Sequence, residues 1–176
     1  YSFICYTEIG EIEDCEEKPL KKFFIGLAVF LVMIILGSIL LYRRSIGIYN
    51  ESQEQSYAYA LEETPIVEPT EFYWYNGNET YFTVIGKSEQ EETLVALINQ
   101  GTGEVTTLPA EGLLSKQEAV QLTREARNPD KILEARIGMH NDEPIWEVSY
   151  RNENGRLGYY VLSLETGEWI RTIDNI

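Results

Sequence analysis

The run Phe23–Tyr42, FFIGLAVFLVMIILGSILLY, is 20 residues without a charge, and no other feature of this 176-residue chain restricts its possible folds so sharply. As a helix rising about 1.5 Å per residue, it spans roughly the 30 Å of a bilayer core. Lys21 and Lys22 precede it, and Tyr42, Arg43 and Arg44 end it, the residue types expected at two head-group layers. A buried core helix is one rival, but an apolar surface all round so long a helix is hard to bury in so small a protein. A cleaved signal peptide is another. The run is longer than the roughly 7–15 apolar residues of a signal core, and it ends in Leu-Leu-Tyr-Arg-Arg where a small-residue cleavage site would be needed. A retained single-pass transmembrane helix in the cell membrane is therefore expected. Lys18, Lys21 and Lys22 before it barely outnumber Arg43 and Arg44 after it, so charge alone does not orient it. A long C-terminal domain crosses a membrane largely regardless of charge, and thiols suit a cytosolic arm. The expected topology is a cytoplasmic N-terminus and an extracytoplasmic C-terminal domain.

Beyond Ser45 the chain carries 9 basic residues against 23 acidic ones. Such a surface repels phosphate backbones and anionic lipid, which argues against nucleic-acid binding and leaves the apolar helix as the contact with the bilayer. The only cysteines, Cys5 and Cys15, lie before that helix and match no metal or redox spacing. The remainder must be held by an apolar core, which a domain of about 110–130 residues can build without disulfides.

Compared with itself at an offset of 64 residues, the chain aligns Gln53-Glu54 with Gln117-Glu118, Phe82 with Trp146, Val84 with Val148, and Thr102-Gly103-Glu104 with Thr166-Gly167-Glu168. Two copies of one unit are implied. Each opens with a helix: Asn50–Glu63, ended by Thr64-Pro65, and a segment from the capping-box pattern Ser115-Lys-Gln-Glu118 to Arg127, closed by Asn128-Pro129. Strand-like runs follow. In the first copy they are Phe72–Tyr75 and Tyr81–Ile85 around Asn76-Gly77, then Leu94–Asn99 and Val105–Leu108. In the second they are Ile132–Met139, Ile145–Tyr150, Tyr159–Leu164 and Trp169–Ile173. The expected class is α+β: an arm at 1–22, a transmembrane helix at 23–42, and two helix-plus-antiparallel-sheet units at 45–110 and 111–176. The helix at Asn50–Glu63 begins so soon after the membrane run that the two are expected to continue into one another.

Ile145-Trp-Glu-Val148, Gly158-Tyr-Tyr-Val161 and Glu165-Thr-Gly-Glu-Trp169 resemble the PepSY-type pattern of a W-x-V strand, a Y-x-V-like strand and a T-G turn. With one membrane helix and two such units, the chain from about Lys21 to Ile176 is similar to the TseB-like (YpmB) cell wall elongation regulator family of Gram-positive bacteria. The resemblance implies a pair of cystatin-like units outside the cytoplasmic membrane. It also implies a non-catalytic role assisting a membrane-bound penicillin-binding transpeptidase during wall growth. A different reading, that PepSY-type units regulate or inhibit a cell-envelope peptidase, follows from the same motifs.

No catalytic, cofactor-binding or metal-ligating set is expected, and no small-molecule substrate. The one histidine, His140, falls in a predicted loop without a Gly-x-Ser-x-Gly elbow, and no cysteine follows the membrane run. Glu89, Glu91 and Glu92 lack the spacing that wraps oxygens around calcium. The aromatic run Phe72-Tyr-Trp-Tyr75 is the most informative feature. A two-residue turn at Asn76-Gly77 would pair Tyr75 with Asn78, Trp74 with Glu79, Tyr73 with Thr80 and Phe72 with Tyr81. Tyr73, Tyr75, Phe82 and Val84 would then share one face, and Phe72, Trp74 and Tyr81 the other. The same pairing puts Ala135, Ile137, Met139, Trp146 and Val148 of the second copy on one face and Glu134, Arg136, Glu147 and Ser149 on the other. The first copy thus has an additional apolar face, Phe72, Trp74 and Tyr81, to be covered by the second copy, by residues 64–70 or by a partner protein. A three-residue turn would exchange the faces.

Overall fold

The computed structural model describes residues 18–174 and 176, with side chains from residue 21 onward. Residues 1–17 of the expected arm, with Cys5 and Cys15, lie outside them. The chain divides into two compact units, residues 1–50 and 51–176. Helix α1 runs unbroken over Lys18–Glu63 and belongs to both, so the membrane run and the helix expected at Asn50–Glu63 are one element. Every side chain from Phe23 to Tyr42 is exposed, so the fold offers this stretch no protein cover. Among the described residues, α1 is the one helix long and apolar enough to cross a membrane.

Within residues 51–176, two four-stranded antiparallel meanders repeat the same plan. The first sheet is β1 (Ile66–Asn76), β2 (Thr80–Ser88), β3 (Thr93–Asn99) and β4 (Val105–Pro109). Helix α2 (Lys116–Arg127) follows, and then the second sheet: β5 (Lys131–His140), β6 (Glu143–Arg151), β7 (Leu157–Ser163) and β8 (Trp169–Ile173). Strands β3 and β4 coincide with β7 and β8 at the 64-residue offset. Each helix end has a local cause. Thr64 donates both its amide and its hydroxyl to the Ala60 carbonyl while Pro65 blocks a further turn, so α1 stops there. Ser115 and Glu118 form the complete capping box of α2, and Asn128 ends it in the left-handed region at φ 43°. Small residues one turn apart seat each helix: Ser56 and Ala60 in α1, Ala119 and Thr123 in α2, all buried. The two hydroxyls bond back to the carbonyls of Ser52 and Ala119 at 2.7 and 2.8 Å, so burial leaves neither unsatisfied.

The hairpins differ. Between β5 and β6, Asn141 and Asp142 take positive φ (49° and 62°), as a two-residue primed turn requires, and the pairs Ile137–Trp146 and Ala135–Val148 put the expected residues on one face, with the turn one residue later than the repeat offset places it. Between β1 and β2 the loop is Gly77-Asn78-Glu79, with Asn76 opposite Thr80 and Tyr75 opposite Tyr81. The expected pairing of Phe72 with Tyr81 is corrected to Phe72 with Val84, and every side chain of β1 changes its companions. Phe72, Trp74, Phe82, Val84, Ala96 and Ile98 form one face, packed under Tyr57 and Ala60 of α1. Tyr73, Tyr75, Tyr81, Thr83 and Ile85 belong to the other. Both faces of the first sheet are apolar, so the turn dipeptide did not set the register alone. What selects it is the shape of the second sheet.

That second sheet stands with its edge strand β5 against β1 and β2. The buried Thr83 hydroxyl donates to the Ile137 carbonyl at 3.1 Å. Tyr73 lies on one side of β5, its ring 5.6 Å from that of Trp146 and T-shaped to it. Tyr75 lies on the opposite side, in contact with Gly138 and clustered with Ile145 and Val161. Tyr73, Val95 and Leu97 thereby join Ala119, Ile137, Trp146, Val148 and Leu162 in one core. The additional apolar face of the first copy is therefore covered inside the chain, by the end of α1 on one side and by the second sheet on the other.

The far face of the second sheet carries a half-buried ionic group. Burial raises the Glu147 carboxyl above its ordinary 4.5, against the opposing pull of Arg136 and Arg171. Burial also raises the Tyr75 phenol, with Glu147 adding to the shift and Arg171 countering it.

Two outcomes follow for the full chain in detergent, unfolded with urea and followed by tryptophan fluorescence. A Cβ at Gly138 would lie 2.1 Å from the Tyr75 ring, so Gly138→Ala should cost about 1–3 kcal/mol. At Gly101 the corresponding contact is 3.4 Å, and Gly101→Ala should be nearly neutral; equal losses would contradict the wedge. Glu147 binds its proton more tightly folded than unfolded, so its contribution to stability declines as pH rises from 4.5 through the folded value. Wild type should lose stability relative to Glu147→Gln as pH rises above 4.5. A pH-independent difference would refute the raised carboxyl.

Candidate functional site

The residues singled out in the sequence, Phe72, Trp74 and Tyr81, do not share a surface. Phe72 is 8% exposed beneath α1, where its ring meets Tyr57 at 6.4 Å and Phe82 at 5.8 Å. Trp74 is half-buried on the same face, T-shaped to Phe82 at 5.3 Å, and its indole N–H donates to Asn76 Oδ1 at 3.1 Å. Tyr81 is on the reverse face. Its hydroxyl donates to Glu79 Oε2 and accepts from Asn99 Nδ2, both at 3.1 Å. Burial raises its phenol; the Asn99 bond works against that and Glu79 reinforces it.

Beside the Phe72–Trp74–Phe82 cluster, a groove of about 300 Å³ runs between the last turns of α1 and the ends of β2 and β3. Ser52, Gln55, Ser56 and Tyr59 form its helical wall. Phe82 and Ile98 supply apolar surface on the sheet side, and Asn99, Gln100 and Gly103 close the end. The geometry is held by polar bonds. Tyr59 donates to the Gly103 carbonyl at 2.9 Å, and Gly103 itself has φ +74°. Asn99 Oδ1 accepts from the amides of Gly101 and Thr102 at 2.8 and 3.1 Å, while its Nδ2 donates to Glu79 at 2.6 Å. One asparagine thus shapes the β3–β4 turn and ties it to the β1–β2 turn. The sequence singled out the Thr-Gly turn as a repeat marker. It held no signal that Tyr59 would reach that turn, 44 residues away.

Two of the other depressions involve residues of the expected strand faces and His140. One of about 320 Å³ has Ile85, Val95, Ile137, Trp146 and Leu164 in its lining, with Glu71 and Lys116 among its polar residues. Lys116 Nζ stands 5.1 Å from the Tyr73 ring centroid, and Tyr73 donates to Glu71 at 2.5 Å. The other, about 160 Å³, lies at the hairpin tips among Asn78, Glu79, Tyr81, Met139, His140, Asn141 and Asp142. His140 ends β5 there, Nε2 3.3 Å from Asn141 Nδ2, and no serine or cysteine lines the hollow with it. Among the described residues, no three His, Cys, Asp or Glu side chains are grouped to hold a metal ion. The groove thus combines an apolar wall, neutral hydrogen-bonding groups and a fixed rim.

Residues 55–99, from the end of α1 through β3, match the family model described as the cell wall elongation regulator TseB-like domain. They include six of the groove's lining residues, Gln55, Ser56, Tyr59, Phe82, Ile98 and Asn99. A curated relative, the probable cell wall elongation regulator TseB of Bacillus subtilis (strain 168), is 19% identical over 152 residues, covering 86% of this chain and 94% of that protein. The solved structure of the YpmB protein from Bacillus subtilis has the same fold, with a TM-score of 0.63 at 20% identity, over 69% of this chain and 95% of that one. The matched stretch, the relative and the shared fold lead to one conclusion: the chain is similar to the TseB/YpmB-like cell wall elongation regulators and has their fold.

Proposed function

We propose that this chain is a membrane-anchored, non-catalytic interaction module, displayed outside the cytoplasmic membrane, that regulates cell wall elongation by binding a membrane-bound penicillin-binding transpeptidase. The observation that carries the reading is the double role of α1. The helix contains the uncharged run Phe23–Tyr42, and its last turns supply Ser56, Tyr57 and Ala60 to the core of the folded unit. A regulator built this way is confined to the membrane that holds its target, which raises their effective encounter concentration without any added contact. The groove beside α1 is the candidate contact, with the Phe72 and Trp74 cluster as its support. Tyr81, on the opposite face, acts through Asn99, which it helps to hold at the groove's end.

Two experiments in cells test this. Replacing residues 18–44 by a cleavable secretion signal should release a folded domain that restores little of the elongation activity of cells lacking the protein. Full restoration would refute tethering. A photo-crosslinking amino acid at Gln100 should capture a penicillin-binding transpeptidase in intact cells, and a probe at Glu165 should not. Capture of an envelope peptidase from Gln100 would overturn the proposed partner.

A further inference from the structure

The two halves of the folded unit carry acids alike, eleven in residues 51–110 and twelve in residues 111–176. Their bases differ. The second half has eight, whereas the first has only Lys87, whose ammonium is engaged by Glu91 at 2.7 Å. The negative potential of the first half is therefore uncompensated from within, and a low-dielectric depression on it concentrates that potential.

The groove lies on this half. Two of its lining side chains are themselves held by carboxylates, Gln55 by Glu51 at 3.3 Å and Asn99 by Glu79 at 2.6 Å. Glu54 and Glu104 adjoin the lining residues Gln55 and Gly103 in sequence, and all four carboxylate residues are exposed. At about 300 Å³ the groove is at the small end for a ligand pocket, so it suits one anchoring side chain better than a whole metabolite. The rings of Phe82 and Tyr59 and the side chain of Ile98 would take an apolar stem and a flat cation. Acceptors on Ser52 and Gln55 can meet N–H donors. Arginine has these properties together, and lysine lacks the planar, multiply donating head.

We propose that the groove docks a basic segment of a partner protein, anchored by one arginine. The inference rests on the reading of the chain as an interaction module and adds the chemistry of what it binds. The folded unit of a second copy is poorly matched, because even its less acidic half has twelve acids to eight bases. Anionic lipid and nucleic acid are repelled by the same field.

The test uses the full chain in nanodiscs of zwitterionic phosphatidylcholine and a fluorescein-labelled decapeptide alternating Arg with Gly or Ser, read by anisotropy. Saturable binding is expected, weakening several-fold as salt rises from about 50 to 200 mM and on replacing Arg by Lys. Gln55→Lys and, independently, Gln100→Lys put a cation into the groove at exposed positions and should each weaken binding about tenfold. Glu165→Gln, the same charge increment on an exposed turn of the second half, should change it by less than about twofold. No saturable binding, equal losses from all three variants, or no loss from either lysine variant would overturn the proposal. Empty nanodiscs that bind the peptide as well as loaded ones would do the same. None of these results bears on which enzyme is captured in cells, so the proposed function stands or falls separately.

Discussion

The docking of strand β5 between Tyr73 and Tyr75 is the interaction on which the rest of the folded unit depends. An edge strand exposes unpaired backbone groups, and a sheet with two apolar faces exposes more surface than its own helix can cover. Each half of this protein answers the other's need. Thr83 satisfies a carbonyl of the β5 edge, and the two tyrosine rings clasp β5 from either side, one against Trp146 and one against Gly138. Because residue 138 has no Cβ, the Tyr75 ring can lie flush on the strand. Neither repeat would be dry without the other, and residues 51–176 form a single compact unit although they were built from two copies of one plan.

That arrangement leaves the outer side of the first sheet to α1, and the groove is a consequence of how α1 is seated. Ser56 and Ala60 are small enough to bring the helix close to the sheet near its C-terminal end. One turn earlier, Ser52 and Gln55 face Phe82 and Ile98 across a gap that no large side chain fills. Tyr59 bridges helix and β3–β4 turn at one end, so the gap has a defined shape. The field around it follows from composition: acids are spread over both halves, and bases are almost confined to the second.

Family likeness and physical reading meet at the same residues. The stretch matched by the TseB-like domain model spans the end of α1 and β1–β3, the elements that make the groove and present the two tyrosines to the second sheet. The low identity to the B. subtilis proteins is compatible with a shared fold because the constraints are of kind and size: small residues where a helix meets a sheet, alternation along strands, and turns of defined length.

Much was legible in the amino-acid sequence alone, because it depended on local chemistry. The uncharged run marks α1, the Ser115–Glu118 box starts α2, and the 64-residue self-similarity predicts two meanders with the observed β3, β4, β7 and β8. The faces of the second hairpin were readable too: one is apolar and one polar, so a slip by one residue would expose the apolar set. The first hairpin was not. With aromatic side chains on both faces, either register buries rings, and Asn76-Gly77 favours a turn that the structure does not adopt. Only the tertiary structure decided that Phe72 and Trp74 lie beneath α1 while Tyr81 lies opposite, because the deciding contacts, Tyr73 with Trp146 and Tyr75 with Gly138, join residues far apart in the chain.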